Sequence, residues 1–192
     1  MQALIVSTGV VALAEIGDKT QLLAFILAAR FKKPLPIIAG ILCATVINHG
    51  LAGALGAWIT AAVDPQWLRW ILGLSFIAMA AWTLVPDRSE DEETRIASRL
   101  GVFGATFITF FLAEMGDKTQ VATIAMAAHY AQPILVVVGT TLGMLIADVP
   151  AVFVGDRLAG RIPMKLVHGI AAAVFAVLGV ATLLGAGAGL GF

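Results

Sequence analysis

Glu15, Asp18 and Lys19 lie within LAEIGDKTQ (13–21), and Glu114, Asp117 and Lys118 lie within LAEMGDKTQ (112–120). Eight of the nine positions are identical, and both copies sit inside long apolar runs. A charged group at mid-membrane depth costs about 2.5–3.5 kcal/mol even on insertion scales, so ionisable residues retained there are functional by default. A single E-x-x-D-K could be an internally paired structural cluster. Its repetition argues otherwise, because buried ionic groups stabilise poorly.

The residue types specify the chemistry. Glutamate and aspartate three apart share a helical face, and Lys19, four from Glu15, falls on it too. Gly17 and Gly116 would let a second backbone approach, or let the helix unwind and offer carbonyl oxygens. Thr20, Gln21, Thr119 and Gln120 add neutral oxygen ligands or hydrogen-bond partners. Each Glu–Asp–Lys set sums to −1 and the two together to −2, the charge one divalent cation neutralises. Oxygen donors suit Ca²⁺, Mg²⁺ and Mn²⁺. With no cysteine or histidine in either motif, zinc and copper are disfavoured. On cation release, four close carboxylates could not all stay ionised in a low dielectric, so protons should enter. The expectation is cation–proton exchange, with Glu15, Asp18, Glu114 and Asp117 as metal ligands.

A weaker constellation lies in VINHGLAG (46–53) and LIADVPAV (145–152). Asp148 is expected to serve as a further ligand or a proton acceptor, with Pro150 loosening the helix beside it. Asn48 and His49 are candidates for supporting the metal ligands or carrying a proton, but an interhelical hydrogen bond explains either one. His129 and His168 lie near span ends and need no special role.

The elements that must carry these groups are membrane spans. The chain has 192 residues, 60% hydrophobic and 12% charged. Its mean hydropathy is +0.97. A soluble domain carries about 25% charged residues. Six spans are expected, about 3–29, 35–62, 67–86, 100–128, 133–155 and 164–186. The first and fourth exceed the ~20 residues a straight span needs, so tilt or a local break is expected. Four tryptophans, Trp58, Trp67, Trp70 and Trp82, mostly near span ends, read as interfacial anchors. Net charge is zero, which suggests no nucleic-acid partner. The one cysteine, Cys43, reads as packing. No basic region precedes the first apolar stretch, so no cleavable signal peptide is expected.

The halves repeat. A shift of 99 aligns Glu15 with Glu114, Asp18 with Asp117, Pro34 with Pro133, Gly40 with Gly139, His49 with Asp148 and Phe76 with Phe175. Three spans per half is an odd number, so the second half should enter the membrane from the opposite side. The expected architecture is an all-α membrane protein with six transmembrane helices as two inverted-topology three-helix repeats. These are residues 1–86 (motif 15–20) and 100–192 (motif 114–119), joined by an acidic linker at 87–99. Both motifs would meet at the bilayer midplane. Nine loop basic residues (Arg30, Lys32, Lys33, Arg88, Arg95, Arg99, Arg157, Arg161, Lys165) fall on one side and only Arg69 on the other. The positive-inside rule then puts both termini on the non-cytoplasmic side.

Two copies of E-x-G-D-[KR]-[TS], each opening a three-span half, resemble the signature of the Golgi manganese/calcium transporter family and its bacterial manganese-exporter relatives. The likeness covers nearly the whole chain. Glu15, Gly17, Asp18, Lys19 and Thr20 match residue by residue, as do Glu114, Gly116, Asp117, Lys118 and Thr119. The resemblance implies Mn²⁺ and Ca²⁺ transport in exchange for protons, the motif acids binding metal, and no cofactor. For the short form typical of bacteria it implies Mn²⁺ export across the cytoplasmic (inner) membrane. The alternatives are a passive divalent-cation channel, an amino-acid exporter and an intramembrane aspartyl protease. A channel should hold its ion weakly at several sites. An exporter of amino acids fits six charges less well than a bare metal does. The protease pattern is G-x-G-D, where this chain has glutamate at 15 and 114. Transport rather than catalysis is expected.

Overall fold

A computed structural model describes residues 1–84, 101–154 and 164–185. The segment 87–99 and the side chains of Arg88, Arg95, Arg99, Arg157, Arg161 and Lys165 lie outside the described residues. The described residues form eight helices and no strand: α1 (Gln2–Glu15), α2 (Lys19–Phe31), α3 (Pro34–Ala62), α4 (Pro65–Thr83), α5 (Gly101–Glu114), α6 (Lys118–Tyr130), α7 (Pro133–Val154) and α8 (Met164–Leu183).

Proline opens α3, α4 and α7, where its missing N–H is no loss and its fixed φ suits the first turn. Asp64 caps α4, its Oδ1 accepting from the Gln66 N–H at 2.9 Å. Pro150 lies inside α7 without ending it. Among the described residues, Pro34–Ala62 and Pro133–Phe153 are long and apolar enough to cross a membrane by themselves. Their outward side chains, such as Leu51, Trp58, Ile134 and Ile146, are apolar and exposed.

The long first and fourth segments are each broken. α1 stops at Glu15, Ile16 is extended, Gly17 takes φ +86°, and α2 restarts after an extended Asp18. α5 stops at Glu114, Gly116 takes φ +78°, and α6 restarts after an extended Asp117. The positive φ is what glycine supplies at no steric cost. The break changes the expected geometry. Glu15, Asp18 and Lys19 share no helical face, because the chain between them is not helical, and the same holds for Glu114, Asp117 and Lys118.

The packing pairs elements that the 99-residue shift relates. α1 lies on α7 and α5 on α3; α2 lies on α7 and α6 on α3; α3 meets α7, and α4 meets α8. Glycine makes the closest of these contacts possible. A Cβ on Gly40 would come within 2.7 Å of Thr106 Cβ, and one on Gly139 within 2.7 Å of the Leu4 carbonyl. Small residues of this kind let helix backbones approach in lipid, where dispersion and not the hydrophobic effect drives association. Phe76 and Phe175, equivalent by the 99-residue shift, are both fully buried in one core with Val10, Val11, Met79 and Met126. His129 packs edge-on to Phe76 and Tyr130.

Candidate metal-binding centre

The two breaks meet. At each, the aspartate N–H closes on the glutamate carbonyl three residues back, Asp18 to Glu15 at 3.0 Å and Asp117 to Glu114 at 3.1 Å. The glutamine reaches back to the glycine: Gly17 N–H donates to Gln21 Oε1 at 2.9 Å, and Gly116 N–H donates to Gln120 Oε1 at 2.8 Å. The threonine hydroxyl secures the glutamate, Thr20 on Glu15 Oε2 at 2.6 Å and Thr119 on Glu114 Oε2 at 2.9 Å. The glutamate, glycine, threonine and glutamine of each motif thus have a local reason for their identity. Asp18 and Asp117 sit at N-cap positions, where aspartate ordinarily caps with its side chain. Neither does so here. Their carboxylates turn instead to the opposite half.

The lysines cross over. Lys118 Nζ donates to Asp18 Oδ1 at 2.8 Å, with both side chains at most 1% exposed. Lys19 Nζ is 3.4 Å from Asp117 Oδ1, with Lys19 28% and Asp117 4% exposed. Each lysine therefore pairs with the other half's aspartate, a contact that a shared face within one motif did not predict.

Glu15, Glu114 and Asp117 converge, one oxygen of each lying within 4.8 Å of the others. Each is buried and, among the described residues, keeps one oxygen without a protein hydrogen bond: Glu15 Oε1, Glu114 Oε1 and Asp117 Oδ2. Three carboxylates at that spacing could be drawn onto one hard cation. Asp18 is held by Lys118, the residue that follows Asp117. Burial of carboxylates with an oxygen left unpartnered is costly unless a cation or proton neutralises them.

The second constellation divides. Asn48 makes the interhelical bond, its Nδ2 donating to the Phe111 carbonyl at 3.1 Å. His49 and Asp148 are fully buried, and among the described residues neither ring nitrogen and neither carboxylate oxygen has a hydrogen-bond partner. Thr45 and Thr141, also buried with unpartnered hydroxyls, were not singled out by the sequence. They lie four residues before His49 and seven before Asp148, so helical periodicity puts them on the same faces. That spacing was the available signal.

The buried acidic centre lies between broken helices, inside a bundle whose exposed side chains include many large apolar ones, as in an integral membrane protein. The chain belongs to the divalent cation/proton antiporter GDT1 family, whose model matches residues 3–91 and 102–189, one stretch in each half. It is 49% identical over 95% of its length to a Vibrio cholerae protein called "Putative manganese exporter", of which it covers 90%. It is 32% identical to GDT1-like protein 3 of Oryza sativa subsp. indica, across 90% of this chain and 70% of that one. GDT1-like protein 5 of Arabidopsis thaliana is 28% identical, with 90% and 91% covered. No solved structure matches the chain.

Proposed function

We propose that this protein is a secondary transporter that exports Mn²⁺ from the cytoplasm, and also carries Ca²⁺, in exchange for protons. The observation that carries the reading is the convergence of Glu15, Glu114 and Asp117 oxygens within 4.8 Å at the two helix breaks. Asp18 completes the acidic set. The charge supports a divalent ion. The two lysines offset the two aspartates, which leaves Glu15 and Glu114 as −2. An empty centre must then take up protons, since two desolvated carboxylates that close repel each other. The ammonium groups hold the aspartates while no metal is bound. The hard oxygen donors fit Mn²⁺ and Ca²⁺, and the name of the Vibrio cholerae relative favours Mn²⁺. The centre is read as transport machinery and not as an enzyme's active site.

The same reading includes the architecture. Six spans form two inverted three-helix repeats, residues 1–86 and 100–192, with 87–99 as a cytoplasmic linker and both termini on the non-cytoplasmic side of a bacterial inner membrane. Two family matches offset by 99 residues, and breaks at equivalent positions, support a duplicated unit. The basic-residue bias supports the orientation.

The test is flux in proteoliposomes with an imposed proton gradient, offering Mn²⁺, Ca²⁺ and Mg²⁺ in turn. Gradient-driven Mn²⁺ uptake is expected, and its loss in Glu15→Gln and in Glu114→Gln. Mn²⁺ flux indifferent to the gradient would refute exchange, and wild-type flux in both variants would refute the site.

A further inference from the structure

The two halves carry the same residues at their breaks but do not use them alike. In the first half Gln21 makes two bonds. Its Oε1 accepts from the Gly17 N–H at 2.9 Å, and its Nε2 donates to the Ala147 carbonyl of α7 at 3.0 Å. In the second half Gln120 makes the first of these, accepting from the Gly116 N–H at 2.8 Å. The 99-residue shift relates Ala147 to Asn48 on α3. Among the described residues, Gln120 Nε2 makes no bond to the Asn48 carbonyl. Gln21 is buried, whereas Gln120 is only partly so.

The ion pairs differ in the same sense. Lys118–Asp18, at the break that Gln21 holds, is short and sealed. Lys19–Asp117, at the break of Gln120, is longer and open at its lysine. Met115 is 55% exposed, and its equivalent Ile16 is partly buried. Contacts that the repeat relates are thus closed around Asp18 and loose around Asp117. The motifs differ only at 16 and 115, and a backbone carbonyl is present at 48 as at 147, so the same residues can close either set. Two inverted halves with one set closed present a central site to one side, and exchanging their roles presents it to the other. Packed elements move between such arrangements as discrete states. Gln21 joins the two ends of the device: its Oε1 fixes the break that carries Glu15 and Asp18, and its Nε2 fixes that break to α7.

We propose that Gln21 and Gln120 are alternate latches of the transport cycle, one tying its break to α7 and the other to α3, never both at once. In the arrangement described here Gln21 is latched, and the cation reaches the centre past Lys19 and Asp117. In the other arrangement Gln21 releases the Ala147 carbonyl and Gln120 donates to the Asn48 carbonyl. Lys19 then closes on Asp117 as Lys118 now closes on Asp18, and the cation passes on the side of Lys118 and Asp18. One hydrogen bond replaces another. Both glutamines are positioning residues and touch no cation.

The inference rests on the transport reading, and the flux assay keeps the two apart. Absence of Mn²⁺ flux in wild-type proteoliposomes would sink the transport reading itself. With flux present, two cysteine pairs are placed in a Cys43→Ala protein: Gln21→Cys with Ala147→Cys, and Asn48→Cys with Gln120→Cys. A short bifunctional methanethiosulfonate should bridge both pairs in the membrane, and each bridge should stop flux until a reductant removes it. Bridging of one pair only or of neither, or flux that survives a bridge, would overturn the proposal. Should either pair fail to reach the membrane, Gln21→Met and Gln120→Met carry the test. Each removes one latch and should shift the balance of the two arrangements about fivefold, the scale of one hydrogen bond. Apparent Mn²⁺ affinity, measured from the two faces of oriented vesicles, should then rise on one face and fall on the other, with the two variants mirroring each other. Shifts in the same sense in both variants, or no shift in either, would make the glutamines merely structural and overturn the proposal.

Discussion

Removing the two lysines one at a time should give unequal results, although they are equivalent in sequence. Lys118 Nζ is 2.8 Å from Asp18 with both side chains buried. Lys118→Met takes away that ammonium and leaves a carboxylate in the interior, a change that costs about 3–5 kcal/mol when one partner of a buried pair is lost. Lys19 is 28% exposed and its Nζ is 3.4 Å from Asp117. Water can reach that pair, and the measured worth of an exposed ion pair is about 0.2–1 kcal/mol. The Lys118 variant should therefore be the less stable by about 3 kcal/mol. Bound metal should narrow the gap, because a divalent cation can supply the positive charge that Asp18 has lost. Thermal unfolding of both variants in detergent, with and without Mn²⁺, reads the difference. Equal melting temperatures without metal would refute the burial reasoning. A Lys118→Met protein that gained no more from Mn²⁺ than the wild type would refute the idea that ammonium and metal compete for the same carboxylates.

The double variant Lys19→Met with Lys118→Met leaves a −4 cluster that should take up extra protons, so its Mn²⁺ affinity should fall more steeply between about pH 8 and pH 6 than the wild type's, as metal must displace them; equal slopes would exclude a charge-setting role. Gly116→Ala forces a side chain onto φ +78°; it should destabilise the break by about 1–2 kcal/mol and reduce Mn²⁺ flux, whereas Ala131→Gly, at φ +49° on the α6 C-terminus, should raise the melting temperature modestly. Cysteine placed at residue 2 should label from outside intact cells and cysteine at residue 92 should not; outside labelling at 92 would overturn the proposed orientation.

The sequence by itself determined the local chemistry. Composition required an integral membrane protein. The 99-residue offset identified the duplicated motif, and apolar runs too long for a straight span, with glycine at 17 and 116, pointed to a break. These are short-range properties: hydropathy, spacing, and the backbone freedom of glycine at a positive φ. What only the tertiary structure decided is how the two motifs divide their charges. Helical spacing put Glu15, Asp18 and Lys19 on one face, but the break removes that face. Once the chain between Glu15 and Lys19 is extended, each lysine can reach across to the other half. Nothing in two nearly identical nine-residue strings distinguishes Lys118 from Lys19. Burial does, and burial depends on the helices that surround each break. The same holds for Asp148. The sequence marked it as a polar residue deep in a span. Its full burial beside the first break, where Gln21 donates to the neighbouring Ala147 carbonyl, follows from how α7 lies against α1 and α2.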